Sequence, residues 1–153
     1  MVRAVSEALG VVGVHHVQNP LVPLGLALGQ PGAEAAARTL EGLLEDHPRD
    51  LVAAKLLEFT YYLTGQQHAG PRFLAVMDRI AEANRGDGLF QSMHSFALEL
   101  TGRYATAIEV AESALAAAPV NPWADHTLAH ALLKTGRIDE GIAAAERHRA
   151  SWN

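Results

Sequence analysis

The sequence predicts an all-α fold, a right-handed solenoid of about three to four stacked helical hairpins. Apolar residues recur at three- and four-residue spacing, as at Ile108, Ala111 and Leu115, which is the pattern of an amphipathic helix. No alternating strand pattern competes with it. Three helical runs also end in the same way, at Leu63-Thr64-Gly65, Leu100-Thr101-Gly102 and Lys134-Thr135-Gly136. A recurring helix end of this kind indicates a repeated hairpin turn.

The spacing of these glycines indicates the type of repeat. Gly102 and Gly136 lie 34 residues apart, which is the period of the tetratricopeptide repeat. With Gly102 at repeat position 15, Ala107, Ala114 and Pro119 fall on the small, small and proline positions of that repeat. Glycine suits the turn because a helix commonly ends with a left-handed residue. We therefore predict tetratricopeptide-type hairpins.

The pattern assigns helices along one domain that covers residues 1–153. Residues 1–32 form a degenerate N-terminal part, in which residues 22–28 are one hairpin arm, because Pro20 and Pro23 interrupt any long helix. The repeat units that follow are 33–50, 51–88, 89–121 and 122–153. The helices predicted within them are 33–46, 51–64, 71–84, 89–101, 104–117, 123–135 and 138–151.

Composition excludes several classes of function. The formal net charge is −5, and the lysines and arginines are scattered, so there is no basic patch for nucleic acid. Cysteine is absent, which excludes disulfides, thiolate nucleophiles and cysteine-ligated metals. No apolar run approaches the roughly 18 residues that a membrane span requires. We expect a cytoplasmic, bacterial-like protein that binds neither nucleic acid nor membrane.

One part of the chain resembles a narrower family. Ser95-Phe96-Ala97-Leu98-Glu99 and Trp123-Ala124-Asp125-His126-Thr127-Leu128-Ala129-His130 are similar to segments of the tetratricopeptide repeat protein 38-like family. Resemblance to tetratricopeptide proteins implies that four positions of each first helix line a concave groove. Those positions are Val52, Lys55, Phe59 and Tyr62, then Leu89, Ser92, Phe96 and Glu99, then Trp123, His126, His130 and Leu133.

This lining predicts a binding function. An aromatic groove with few polar groups favours a protein segment or a small apolar ligand. We therefore expect a non-catalytic scaffold without a cofactor, which holds its partner through nine groove residues. They are Lys55, Phe59, Tyr62, Ser92, Phe96, Glu99, Trp123, His126 and His130.

The histidine pair allows an alternative. His126 and His130 are four residues apart, so on a helix they share one face and could reach one metal ion or one substrate group. Glu99 is the candidate third member of such a site. The alternative function is a histidine-dependent enzyme or enzyme fragment, with or without a metal ion, in which His126 is the general base or a metal ligand. The zinc-protease signature is missing, because no glutamate follows His126 directly.

The last helix predicts self-association. Ile138, Ile142 and Trp152 lie on it, and a solenoid has open ends that expose apolar residues. We expect either a homodimer through these ends or a continuation of the polypeptide that covers them.

Overall fold

The computed structural model describes residues 32–64 and 66–149, and within these ranges the chain is helical and contains no strand. The all-α prediction is therefore confirmed. The predictions for residues 22–28, Gly65 and Trp152 lie outside the described residues. The helices are α1 (Ala33–Asp46), α2 (Leu51–Thr64), α3 (Gln66–Ile80), a 3₁₀ turn (Glu82–Asn84), α4 (Gly88–Leu100), α5 (Tyr104–Ala117), α6 (Pro122–Lys134) and α7 (Ile138–His148).

One predicted helix was placed wrongly. The repeat register predicted a helix over 71–84. The structure instead starts α3 at Gln66, with Pro71 inside it, and ends it at Ile80 before the separate 3₁₀ turn. The bounds of α1, α2 and α5 agree with the prediction, and those of α4 and α6 differ by one residue at each end.

The described chain divides into two compact units, one ending at Ala69 and one beginning at Gly70. In the first unit, α1 packs on α2. Leu40 and Leu44 of α1 and Leu57 of α2 are fully buried, and the Tyr61 hydroxyl donates a hydrogen bond to the Glu41 carboxylate. The prediction of a single domain over residues 1–153, with its repeat boundaries, stays a prediction.

The second unit contains two hairpins, α4–α5 and α6–α7, that end their first helices in the same way. The Gly102 and Gly136 backbones both have a φ of 76°. The amide of Arg103 donates to the Leu98 carbonyl at 2.9 Å, and 34 residues later the amide of Arg137 donates to the Leu132 carbonyl at 2.9 Å. This pairing closes a helix end around a left-handed glycine. The predicted turn is confirmed at both positions.

The helices of the second unit pack through small residues. Ala107 and Ala114 of α5 are fully buried, as their repeat positions predicted. A Cβ on Gly88 would lie 2.8 Å from the Ala118 Cβ, so α4 begins in direct contact with the end of α5. The Asn121 side chain accepts from the Ala124 amide and donates to the Gly88 carbonyl at 3.0 Å. Asn121 thus caps α6 and also ties its start to the start of α4.

The first helices of these hairpins, α4 and α6, are neighbours in the second unit. Their facing positions carry most of the residues that the sequence singled out. Among the described residues, no helix is long and apolar enough to cross a membrane.

Candidate binding surface

The first unit presents the predicted lining positions of α2. Val52, Phe59 and Tyr62 are exposed. The Lys55 ammonium lies 5.2 Å from the centroid of the Phe59 ring and 2.6 Å from a carboxylate oxygen of the buried Glu58. Glu58 was not among the predicted groove residues, although its position three residues after Lys55 indicates an ion pair on one helix face. This surface is apolar around a single paired cation.

The second unit brings four ring side chains together on α4 and α6. The Phe96 ring meets the edge of the Trp123 indole, with centroids 5.4 Å apart and planes inclined by 65°. Trp123 stacks on His126 at 5.6 Å and 13°, and His126 lies 4.2 Å from His130. The spacing of three and four residues along α6 aligns its three rings on one face. We call Leu89, Phe96, Glu99, Trp123, His126, His130 and Leu133 the α4/α6 surface.

The apolar side chains at the two ends of the α4/α6 surface are exposed to solvent. Leu89 at the start of α4 is 49% exposed, and Leu133 near the end of α6 is 58% exposed. Trp123 is half-buried and Phe96 is buried beneath it. Phe96 therefore supports the Trp123 ring and offers little area of its own.

Glu99 is the acidic group of the surface. Its side chain is only 9% exposed, and its Oε1 lies 3.8 Å from the Nδ1 of the half-exposed His130. That separation is longer than a hydrogen bond. Among the residues that the structure describes, no hydrogen bond to the Glu99 carboxylate is present. The carboxylate is thus close to the histidine pair without being bonded to it.

Ser92 does not reach the surface. Its side chain is fully buried, and its hydroxyl donates to the Leu89 carbonyl at 2.7 Å within the same helix. Because this bond occupies the hydroxyl, Ser92 stabilises α4 locally and is not accessible to a partner. The sequence placed Ser92 on the lining by repeat position alone, which does not report how deeply a position lies between α4 and its neighbours.

A third histidine has a structural role. His94 is mostly buried, and its Nε2 lies 2.8 Å from an Asp78 carboxylate oxygen. His94 therefore does not belong to the α4/α6 surface.

The electrostatics of the pair favour a neutral His126. Partial burial lowers the pKa of the His126 imidazole below its ordinary value of 6.5, and the charge of His130 lowers the pKa further. The two imidazoles supply two metal ligands or two hydrogen-bonding nitrogens. Within the described ranges, no group of three or more His, Cys, Asp or Glu side chains is arranged to hold a metal ion.

Comparison with known proteins agrees with this architecture. Residues 100–151 match the family model described as tetratricopeptide repeat, which covers α5 to α7 and the turns around Gly102 and Gly136. This part of the chain is similar to tetratricopeptide repeats. The match contains Trp123, His126, His130 and Leu133.

The fold is also similar to solved structures titled MamA. The structure titled MamA MSR-1 C2 has a TM-score of 0.63 and 20% identity, with 97% of this chain and 92% of that chain covered. For MamA AMB-1 P212121 the TM-score is 0.59 and the identity 23%, with 97% and 87% covered. For MamA AMB-1 C2221 the TM-score is 0.60 and the identity 17%, with 97% of this chain and 96% of that chain covered. At these identities the likeness concerns the fold, which is all-α and tetratricopeptide-like.

Proposed function

We propose that this chain is a non-catalytic binding module that holds a protein segment on the α4/α6 surface. One observation carries the proposal. Of the eight large hydrophobic side chains that are exposed in the described ranges, five occupy predicted lining positions. They are Val52, Phe59, Tyr62, Leu89 and Leu133.

Grouped exposure of this kind supports a docking surface. Single exposed apolar side chains are ordinary on a protein surface, but their concentration at the predicted lining positions of each unit is typical of an interaction site. Solenoid repeats commonly present such surfaces to proteins. The tetratricopeptide match over residues 100–151 supports the same function.

The occupant that we propose is a protein segment rather than a small molecule. Leu89 lies near the start of α4 and Leu133 near the end of α6, and a row of three rings runs along α6 from Trp123 to His130. A peptide reaches such separated contacts with successive side chains, whereas a small ligand favours an enclosed site. The narrower resemblance to the 38-like family and the cytoplasmic location stay predictions.

Recognition, not catalysis, is the role that we assign to the histidine pair. The catalytic alternative needs Glu99 to assist the histidine pair, and the Glu99 carboxylate lies 3.8 Å from the His130 Nδ1, beyond hydrogen-bond distance. The enzyme alternative has its own test. A panel of hydrolytic substrates should show no turnover that is lost in His126→Ala, and histidine-dependent turnover would contradict our proposal.

Selection from a random peptide library on the immobilised full chain tests the binding function. We expect peptides that bind the wild-type chain and lose most of their affinity for Trp123→Ala, because a central aromatic side chain commonly contributes about 2 kcal/mol or more to an interface. Val120→Ser is the matched control, since Val120 is exposed before α6 and is outside the α4/α6 surface. Failure to select any peptide, or equal losses in both variants, would contradict the proposal.

A further inference from the structure

Glu99 is an unusual residue for an apolar docking surface. It lies one residue before the end of α4. Phe96 and Leu98, which precede it by three residues and one residue, are buried. Removing a carboxylate from water is unfavourable unless hydrogen bonds or an opposite charge replace the lost hydration. At 9% exposure, Glu99 has lost most of its hydration.

The described part of the chain supplies few hydrogen bonds or opposite charges to replace the hydration that the Glu99 carboxylate has lost. The contact with His130 at 3.8 Å is too long for a hydrogen bond, and none of the eight predicted lining positions of α4 and α6 is a lysine or arginine. Glu99 therefore keeps capacity to accept hydrogen bonds from a bound molecule.

The position of Glu99 in its helix favours a positively charged group as its partner. The carboxyl end of a helix carries partial negative charge, which favours positive groups within its last turn. Glu99 belongs to the last turn of α4, and its carboxylate has the same sign as that end. The net charge of the whole chain, −5, acts in the same direction at longer range.

From these observations, and given the proposed function, we infer that the α4/α6 surface takes a protein segment that carries a lysine or arginine. The cationic group of that residue donates hydrogen bonds to the Glu99 carboxylate, and apolar side chains before and after it cover Leu89, Trp123 and Leu133. A charge-assisted hydrogen bond of this kind is among the stronger polar contacts in a desolvated site. The apolar contacts supply area, and Glu99 supplies the selection for a basic side chain.

Peptides from the random library provide the test. Peptides that bind the wild-type chain and displace one another from it, and therefore share one site, are sequenced. Each is then synthesised with an acetylated N-terminus and an amidated C-terminus, so that terminal charges do not contribute to binding. A second version of each peptide replaces its lysine or arginine with glutamine. Both versions are titrated against wild-type, Glu99→Gln and Glu109→Gln chains. Glu109 is exposed on α5, so its substitution removes one negative charge away from the surface.

We expect the selected peptides to be enriched in lysine or arginine next to apolar residues. Replacing the basic residue should weaken binding to the wild-type and Glu109→Gln chains by about tenfold or more, as the loss of a hydrogen bond to a charged group does. The same replacement should have little effect on binding to Glu99→Gln, because the acceptor charge is already absent. Circular dichroism confirms that each variant is folded.

The outcomes separate this inference from the function on which it rests. Peptides that bind and depend on Trp123, but carry no basic enrichment or are enriched in Asp and Glu, would overturn the role of Glu99 and leave the binding function standing. An equal loss on wild-type and Glu99→Gln chains would also overturn it. If no peptide binds at all, the proposed function itself fails.

Discussion

The Trp123 indole lies nearly parallel to the His126 imidazole, with centroids 5.6 Å apart and planes inclined by 13°. His130 follows on one side, with its ring tilted by 44° to that of His126, and Trp123 meets the Phe96 ring edge-on on the other side. Trp123, His126 and His130 therefore present one row of rings along about two turns of α6, supported from α4. The row fixes where an apolar partner can make contact, because rings that are held by their neighbours lose little conformational entropy on binding.

The first prediction concerns the start of α4. Gly88→Ala should lower the free energy of unfolding by about 1–3 kcal/mol, the usual cost of an added methyl group in a close-packed site. The new Cβ would lie 2.8 Å from the Ala118 Cβ and 3.0 Å from the Ala114 carbonyl oxygen. Gly141→Ala is the control, because its Cβ would meet only the Leu132 Cβ, at an ordinary 3.6 Å.

Urea denaturation of the two variants checks this prediction. Gly141→Ala should be stabilised by roughly 0.5–1 kcal/mol, since alanine is preferred over glycine in the interior of a helix. Equal stability of the two variants would show that α4 and α5 are not in close contact at Gly88.

The second prediction concerns the repeated turn. Gly102→Ala and Gly136→Ala should each lower stability by about 1–2 kcal/mol, because a side chain is strained in the left-handed region. Both glycines have a φ of 76°, and neither added Cβ would meet another atom within 4 Å, so the effect comes from the backbone alone. Gly42→Ala in α1 has the same free space without positive φ and should not be destabilised. Thermal unfolding of the three variants measures the difference, and a stable Gly102→Ala would contradict the assignment of the turn.

The third prediction is a pH dependence of stability that involves His126. The folded chain holds the pKa of His126 below 6.5, so in acid the unfolded state takes up a proton more readily than the folded state. Stability from this residue is therefore fully present above pH 6.5 and falls as the pH is lowered through that value and below it. His126→Gln should be less sensitive to acid than the wild-type chain.

Urea midpoints at about pH 8 and about pH 5 test this effect. His130→Gln should retain part of the wild-type sensitivity, because it removes the charge on the neighbouring residue but leaves the burial of His126 in place. The same loss of stability in wild-type and His126→Gln chains would contradict the prediction.

The fourth prediction concerns α7. Ile138 and Ile142 are four residues apart on this helix, and both are more than half exposed. We predict that this surface mediates a homodimer, which Ile142→Asp should dissociate by placing a charge in an apolar contact. Light scattering over a range of concentrations measures the mass. A wild-type monomer of 16.3 kDa at every concentration would contradict the prediction.

The repeat could be predicted from the sequence because its signals are local. Gly102 and Gly136 mark helix ends through their own backbone conformation, and the buried Ala107 and Ala114 follow at fixed repeat positions. Spacing alone also placed His126 and His130 on one face of α6. Each of these features depends on residues close to one another in the chain.

The features that the sequence did not predict depend mainly on packing between segments that are distant in the chain. The close approach of Gly88 to Ala118 and the bond from Asn121 to the Gly88 carbonyl appear only when α4, α5 and α6 are assembled. The burial of Ser92 has the same origin. The early start of α3 could not be predicted, because Pro71 is a stronger local signal for a helix start than anything near Gln66.

The central claim is that the α4/α6 surface holds a protein segment, and an NMR titration tests it most directly. A selected peptide is added to the isotopically labelled full chain while backbone amide and tryptophan indole signals are followed. We predict that the largest shifts occur at Leu89, Trp123, His126, His130 and Leu133. Shifts confined to α5 and α7, or a bound peptide that leaves these five residues unchanged, would contradict the account.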